Sequence, residues 1–220
     1  MVKKHWIPIS NKCNNACIFC LDADNQNNGK FKAKNDVINE MKIGLKNKAE
    51  RVILSGGEAS IHPLFIEFIK TAKDMGYKEV QTITNGRMFA YNDFCKEAVI
   101  AGLNEVTFSI HSHKRRLYEE FSGISGSYNQ AVVGLKNVLA YPSVVVNMDI
   151  VINKLNYKHI YDIIKYFSEK YGVFEYDLLQ IVPLGRAYKN KDALFYDINK
   201  ALPYLNKVFD LNKADNRYHI

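Results

Sequence analysis

The sequence predicts an α/β fold on a parallel sheet, and three observations carry that expectation. Six short strand-like runs alternate with stretches of helical periodicity along 220 residues. Segments alternating in this way pack as parallel strands joined by right-handed crossovers. The run Val144 to Ile152 is apolar and β-branched, of the kind buried in a parallel sheet. Finally, glycine and Asx residues punctuate the segments where helices start and stop. Periodicity leaves open whether the sheet curls into a barrel.

Taken in order, His5 to Ser10 is the first expected strand. Leu21 to Lys34 is polar, rich in Asn and Asp, contains Gly29, and is expected to be a loop. Asn35 or Asp36 is positioned to cap a helix carrying Val37, Ile38, Met41 and Leu45 at helical spacing. Arg51 to Ser55 is a compact strand stopped by Gly56-Gly57. Pro63 opens a helix through Phe65, Ile66, Phe68, Ile69 and Ala72, which Gly76 ends. The third strand is Glu79 to Thr84, closed by Asn85-Gly86. Asn92 or Asp93 starts a helix to Ala101, and Gly102 terminates it.

Glu105 to His111 is the fourth strand, followed by a basic, Gly/Ser-rich segment through Gly126. Ser127 is placed to cap a helix with Ala131, Val132, Leu135, Val138 and Leu139. After the fifth strand, Val144 to Ile152, come a helix from Tyr157 to Tyr171, a Gly172 stop, and a sixth strand from Tyr176 to Val182. A last helix is expected around Ile198 to Leu211. Residues 1–190 are expected to form the core domain and 191–220 a C-terminal helical extension, whose abrupt end leaves truncation open.

Composition narrows the function classes. An apolar content of 47% is that of a globular protein. No run of about 18 apolar residues suggests a membrane span, and the N-terminus lacks the apolar core of a secretory signal. A cytoplasmic location is expected, where thiols stay reduced. The formal charge of +7 is spread along the chain among Asp and Glu, with one short basic run, His113-Lys114-Arg115-Arg116. Nucleic acid is therefore not expected as a partner, whereas acidic proteins would be steered toward the chain at low salt.

Three of the four cysteines, Cys13, Cys17 and Cys20, fall within eight residues; Cys95 stands far away. Thiolates at intervals of four and three can converge on one metal centre when the backbone wraps around it. Zinc would need a fourth ligand, Cys95 or a histidine, to close a tetrahedron. A zinc-stabilised α/β protein that binds RNA is the rival to an enzyme. Cys95 itself lies in an expected helix and suits a buried small apolar side chain.

The CxxxCxxC spacing, with Phe19 just before Cys20, resembles the signature of the radical S-adenosylmethionine (SAM) enzymes. That resemblance implies a partial (β/α)6 barrel over nearly the whole chain. It implies a [4Fe–4S] cluster on Cys13, Cys17 and Cys20, whose open iron chelates SAM. One electron then cleaves SAM to methionine and a 5′-deoxyadenosyl radical, which abstracts hydrogen from a substrate.

Further implied contacts collect where strands are expected to end. Gly56-Gly57-Glu58 is similar to the family's GGE motif, whose carbonyls accept from the SAM ammonium; Ala59 stands where the family often has proline. Thr84, Asn85, Ser109 and Asn147 resemble residues that hold polar groups of SAM, though serine and Asn-Gly also end strands for ordinary turn reasons. Phe19, through its backbone, and Ile181 or Val182 resemble the stretch that recognises adenine. His111 to Arg116 could rim an anion site or form a solvated basic loop. No residue is assigned as hydrogen donor, acid or base. The resemblance implies a small acidic electron donor of the flavodoxin or ferredoxin type, and a peptide or small-molecule substrate.

Overall fold

The computed structural model describes residues 2–26 and 29–220. Its strands are β1 (Lys4–Ser10), β2 (Arg51–Gly56), β3 (Glu79–Thr84), β4 (Glu105–Ser109), β5 (Val145–Ile152) and β6 (Glu175–Gln180). They form one six-stranded sheet in the order β1-β2-β3-β4-β5-β6. The β1–β2, β2–β3, β3–β4 and β5–β6 pairs are all parallel. With β1 and β6 at the two ends of that order the sheet is not closed, as a partial barrel requires.

The helices are α1 (Ala23–Gln26), α2 (Lys34–Lys46), α3 (Phe65–Asp74), α4 (Asn92–Ala101), α5 (Arg115–Ser122), α6 (Ser127–Leu139), α7 (Ile160–Tyr171), α8 (Gly185–Lys189), α9 (Lys191–Leu194) and α10 (Ile198–Ala214). The chain divides into two compact units. The first is Met1–Asn14, Asn25–Phe108 and Gln130–Val146; the second is Asn15–Asp24, Ser109–Asn129 and Asn147–Ile220.

In the first unit, alternate residues of each strand serve different purposes, because a strand turns successive side chains to opposite faces. Ile7, Ile9, Val52, Leu54, Val80, Val106 and Phe108 are buried. Helix α2 packs on β1 and α3 on β3, bringing Val37, Met41, Phe65, Phe68 and Ile69 into that core. Cys95, in α4, is 1% exposed, and burial pushes its thiol up to about 11. Several polar sheet residues are paired with one another. Arg51 holds Glu79 and donates to Glu105 at 3.0 Å, and Gln81 donates to Thr107 at 2.8 Å.

In the second unit, Met148, Ile150 and Ile152 of β5 are buried, and so are Ile160, Ile163, Ile164 and Phe167 of α7. The β5–β6 register sets Asn147 beside Glu175 and Asp149 beside Asp177. Helix α7 ends on Gly172, whose φ of 73° is left-handed and which has open space around its Cβ position.

Several local expectations are corrected. Helix α2 starts at Lys34, so Asn35 and Asp36 lie in its first turn, and Ala33 is the N-cap with no side-chain bond. Ser127 is the first residue of α6, and its hydroxyl donates backward to Ile124 O at 2.7 Å. The expected loop Leu21 to Lys34 contains α1; its Asn27-Asn28 part lies outside the described residues. The basic segment after β4 is not all loop. Leu117, Tyr118 and Phe121 follow helical spacing, and α5 forms to bury Tyr118 and Phe121. Strand β6 ends at Gln180, leaving Ile181 and Val182 beyond it.

Gly172→Ala is expected to destabilise the protein by about 1 kcal/mol, because alanine must take the left-handed conformation. With nothing near the new methyl, the loss is a backbone effect, and Gly172→Asn should lose less. Urea denaturation of the three proteins checks both statements.

Candidate active site

The first unit holds Cys13 by its main-chain approach. Beyond β1, the Lys12 N–H donates to Ser10 Oγ, and that hydroxyl donates to Lys12 O, both at 3.0 Å. Gly57 N–H donates to Ser10 O at 2.6 Å, and Glu58 N–H to Lys12 O at 2.8 Å. A Cβ on Gly56, where φ is 125°, would run into Ser10 O, and one on Gly57 into Lys12 O. The diglycine is therefore required by the peptide leading to Cys13, one residue before the first thiol.

Glu58 is 2% exposed, and its carboxylate is fully engaged inside the fold. It accepts from Ser60 N–H at 3.1 Å, Ser60 Oγ at 2.5 Å, Thr84 Oγ1 at 2.7 Å and Asn85 N–H at 2.7 Å. Burial raises its pKa, and the bonds from Ser60, Asn85 and Thr84 pull the other way. Glu58 and Thr84 thus fasten the ends of β2 and β3 to each other. Asn85 reaches the cysteine segment: its Nδ2 donates to Asn14 Oδ1 at 2.6 Å and lies 4.0 Å from Cys13 Sγ. Arg87 donates to Asn14 O.

The second unit holds Cys17 and Cys20. The end of α5 takes one side of the loop, where Ala16 N–H donates to Ser122 O at 2.8 Å and Ile18 N–H to Phe121 O at 2.9 Å. The start of α8 takes the other. Arg186 donates through Nε to Cys17 O at 3.0 Å and through its main-chain N–H to Cys20 O at 2.9 Å. Asn190 Nδ2 donates to Ile18 O at 2.9 Å. Gly185 permits this approach, since a Cβ there would stand 2.6 Å from Cys20 O. Burial raises the Cys20 pKa, opposed by a main-chain bond from Asp22 and by the Arg186 charge.

Phe19 anchors the loop in an apolar cluster with Phe121, Ile181, Ala187 and Leu194. Its ring meets His111 edge-on at 4.7 Å. His111 is buried, accepts from Val151 N–H through Nδ1 at 3.1 Å, and is pushed down to about 3 by burial against a main-chain bond with Asp149. It is a neutral strut, not part of a cationic rim. Arg115 is paired with Glu119 along α5 at 3.0 Å, so the basic segment takes the form of a solvated helix face.

Cys13, Cys17 and Cys20 are partly exposed and in no disulfide. Ser109 stands partly exposed at the carboxyl end of β4, and Val182 is 41% exposed just past β6. Asn147 lies near the amino end of β5, opposite Glu175. With five residues from there to Ile152, roughly 16 Å of strand separates it from the carboxyl edge. Among the described residues no group of three or more His, Cys, Asp or Glu could hold a single metal ion, as a closed zinc site would require. Arg87, Arg186 and Asn190 are the positioning residues that sequence reasoning missed. Their only signal was position, just after β3 and just after β6.

Residues 7–167 match the Radical SAM superfamily, and the chain belongs to that family. Its members are enzymes that use a [4Fe–4S] cluster and SAM. The chain is similar to the probable GTP 3′,8-cyclase of Saccharolobus islandicus (strain L.S.2.15 / Lassen #1), 25% identical over 205 residues, which cover 92% of this chain and 64% of that protein. It is 26% identical over 179 residues to the probable GTP 3′,8-cyclase of Sulfurisphaera tokodaii, covering 81% of this chain and 56% of the relative. The chain thus spans only part of the length of these relatives. Streptococcus suis SuiB bound to precursor peptide SuiA superposes with a TM-score of 0.79 at 15% identity, over 98% of this chain and 47% of SuiB. The anSMEcpe structure with bound AdoMet gives 0.61 at 19% identity, over 83% of this chain and 53% of that one. At these identities the structural likeness shows the fold.

Replacing Cys13, Cys17 or Cys20 by Ala should abolish iron binding, while Cys95→Ala keeps it; iron and sulfide analysis after anaerobic reconstitution checks this. Gly57→Val should also lose iron, because its side chain would displace Lys12 and with it Cys13. Full iron loading in that variant would show that the main-chain approach is dispensable.

Proposed function

We propose that this chain is a radical SAM enzyme whose Cys13, Cys17 and Cys20 hold a [4Fe–4S] cluster. The observation that carries the reading is the cysteine loop itself. Its carbonyls and amides are bonded to Gly57, Glu58, Arg87, Arg186, Asn190 and the end of α5, while its three thiols keep partial exposure. The donor set suits the group, because soft thiolates are the ligands of iron–sulfur clusters. The Asn85 amide near Cys13 and the Arg186 charge near Cys20 would offset thiolate charge. When bound, the cluster supplies the electron that cleaves SAM to methionine and a 5′-deoxyadenosyl radical.

The residues divide the remaining work. The Gly56 and Gly57 main chain is assigned to the methionine end of SAM, with Asn85 and Ser109 beside its polar groups. Glu58 and Thr84 hold that main chain from behind. Phe19, Ile181 and Val182 are assigned to adenine, of which Phe19 and Ile181 also anchor the loop from the apolar side. Asn147 drops out of this set on its position in β5. Residues 1–190 serve as the core and 191–220 as a helical extension. The reaction needs an outside reductant, for which a small acidic electron carrier fits the positive charge of the chain. A cytoplasmic setting fits four cysteines in no disulfide, and no described helix is long and apolar enough to cross a membrane.

For the substrate, the relatives' names point to a nucleotide and the SuiB complex to a peptide. Peptide or small-molecule maturation is the reading kept.

Iron-loaded protein with dithionite and SAM, and no substrate, should slowly release 5′-deoxyadenosine and methionine. NADPH alone should not support the reaction, since such clusters work at potentials near the roughly −400 mV of plant-type ferredoxins. Chromatography of an anaerobic assay decides the matter. Absence of 5′-deoxyadenosine from fully loaded, reduced protein would remove the proposal.

A further inference from the structure

Arg186 reaches two of the three cysteines from a single residue. Its Nε donates to Cys17 O at 3.0 Å, and its main-chain N–H donates to Cys20 O at 2.9 Å. The residue is fixed from both sides. Before it, Gly185 brings the chain so near the loop that a Cβ would stand 2.6 Å from Cys20 O. After it, Ala187 is fully buried in the apolar cluster that holds Phe19 and Phe121. One turn on, the Asn190 main-chain N–H donates to Arg186 O at 3.0 Å.

Holding the loop explains the bonds but not the charge. A neutral donor serves a carbonyl equally well, as the Asn190 amide does for Ile18 O. The guanidinium is charged at every accessible pH. It bears on the Cys20 thiol, where Asp22, two residues past that cysteine, acts with the opposite charge. The other cation of α8, Lys189, is spent on Asp24 at 3.1 Å, with both side chains largely exposed. One positive charge of the helix is thus turned to the loop and the other to solvent.

That difference matters for a redox group on these thiolates. Reduction brings in one electron from the outside donor and no proton, so the site becomes one charge more negative. A fixed cation beside a ligand sulfur stabilises the reduced form more than the oxidised one, and net charge and hydrogen bonds to sulfur are what set such potentials. A solvated lysine does far less, because water and salt screen it.

We propose that the Arg186 charge raises the reduction potential of the cluster, with Asp22 as the opposing charge. The inference rests on the radical SAM reading and deepens it, since the potential decides which donors can deliver the electron. Arg186 is a positioning residue here, acting through Cys17 and Cys20.

The test is an anaerobic redox titration of cluster-loaded protein, followed by the electron paramagnetic resonance of the reduced cluster. Arg186→Gln keeps a donor for Cys17 O and removes the charge. At the poise where wild type is half reduced, its ratio of reduced to oxidised cluster should fall about tenfold, equivalent to 59 mV for one electron. Arg186→Lys should recover most of that loss. Asp22→Asn should shift the ratio the other way, and Lys189→Gln should leave it unchanged. An unaltered potential in fully loaded Arg186→Gln, or an equal shift in Lys189→Gln, overturns the proposal. If both Arg186 variants lose their iron, Asp22→Asn decides: a raised potential upholds the proposal and an unchanged one overturns it. Wild-type protein that takes up no cluster removes the radical SAM reading instead, which separates the two failures.

Discussion

The constraint on which the rest depends is the satisfaction of main-chain groups in the cysteine loop. A loop that leaves its carbonyls to water is free to rearrange, and its thiols with it. Here Ser10, Lys12, Asn14, Cys17, Ile18 and Cys20 carbonyls all accept from protein donors. Each such bond contributes about 1 kcal/mol net, and those from arginine more. Together they hold the backbone that carries the three thiols. The helices and strands around it act chiefly as carriers of these donors. That is why α8, only five residues long, begins with a glycine that lets the chain approach and an arginine that donates twice.

This constraint also changes what the Gly-Gly-Glu segment does. The resemblance gives the Gly56-Gly57-Glu58 carbonyls to the SAM ammonium. In the structure the space where side chains would stand at Gly56 and Gly57 is taken by the exit of β1, so the lack of Cβ is needed for the protein's own sake. Glu58 follows the same logic. Its carboxylate meets four donors from three residues, which offsets its burial and leaves its side chain no part in a direct contact. A motif next to a cofactor site can thus be demanded by the architecture behind the site as much as by the cofactor.

What could be read in the sequence was what local chemistry determines. The six strands, the glycine ends of α4 and α7 and the burial of Cys95 follow from periodicity and from residues that accept left-handed backbone. Helix α5 was legible too, through Leu117, Tyr118 and Phe121, but the surrounding glycines and basic residues masked it. Asn147 could have been placed by counting residues to the strand end. The bonds from Arg186 to Cys17 and Cys20 could not be foreseen, because a separation of 169 residues leaves no trace in any window of sequence. The inward turn of Glu58 was hidden for the same reason: its partner Thr84 lies 26 residues away, on another strand.

The charge of the chain shows how far a global quantity reaches. At +7, the molecule would be expected to favour anions. That preference acts through solvent, where a Debye length of about 10 Å at 0.1 M salt screens scattered surface lysines. It governs encounter with acidic proteins, which happens at the surface and at long range. Recognition within a recessed face is decided by the charges a few ångströms away, where water is scarce and screening weak. Around the buried Glu58 those are the donors of Ser60, Thr84 and Asn85, and on β2 Arg51 answers Glu79 and Glu105. The net charge of the chain therefore bears on encounter at its surface and not on how its buried groups are satisfied, because the two are separated by the distance over which charge is felt.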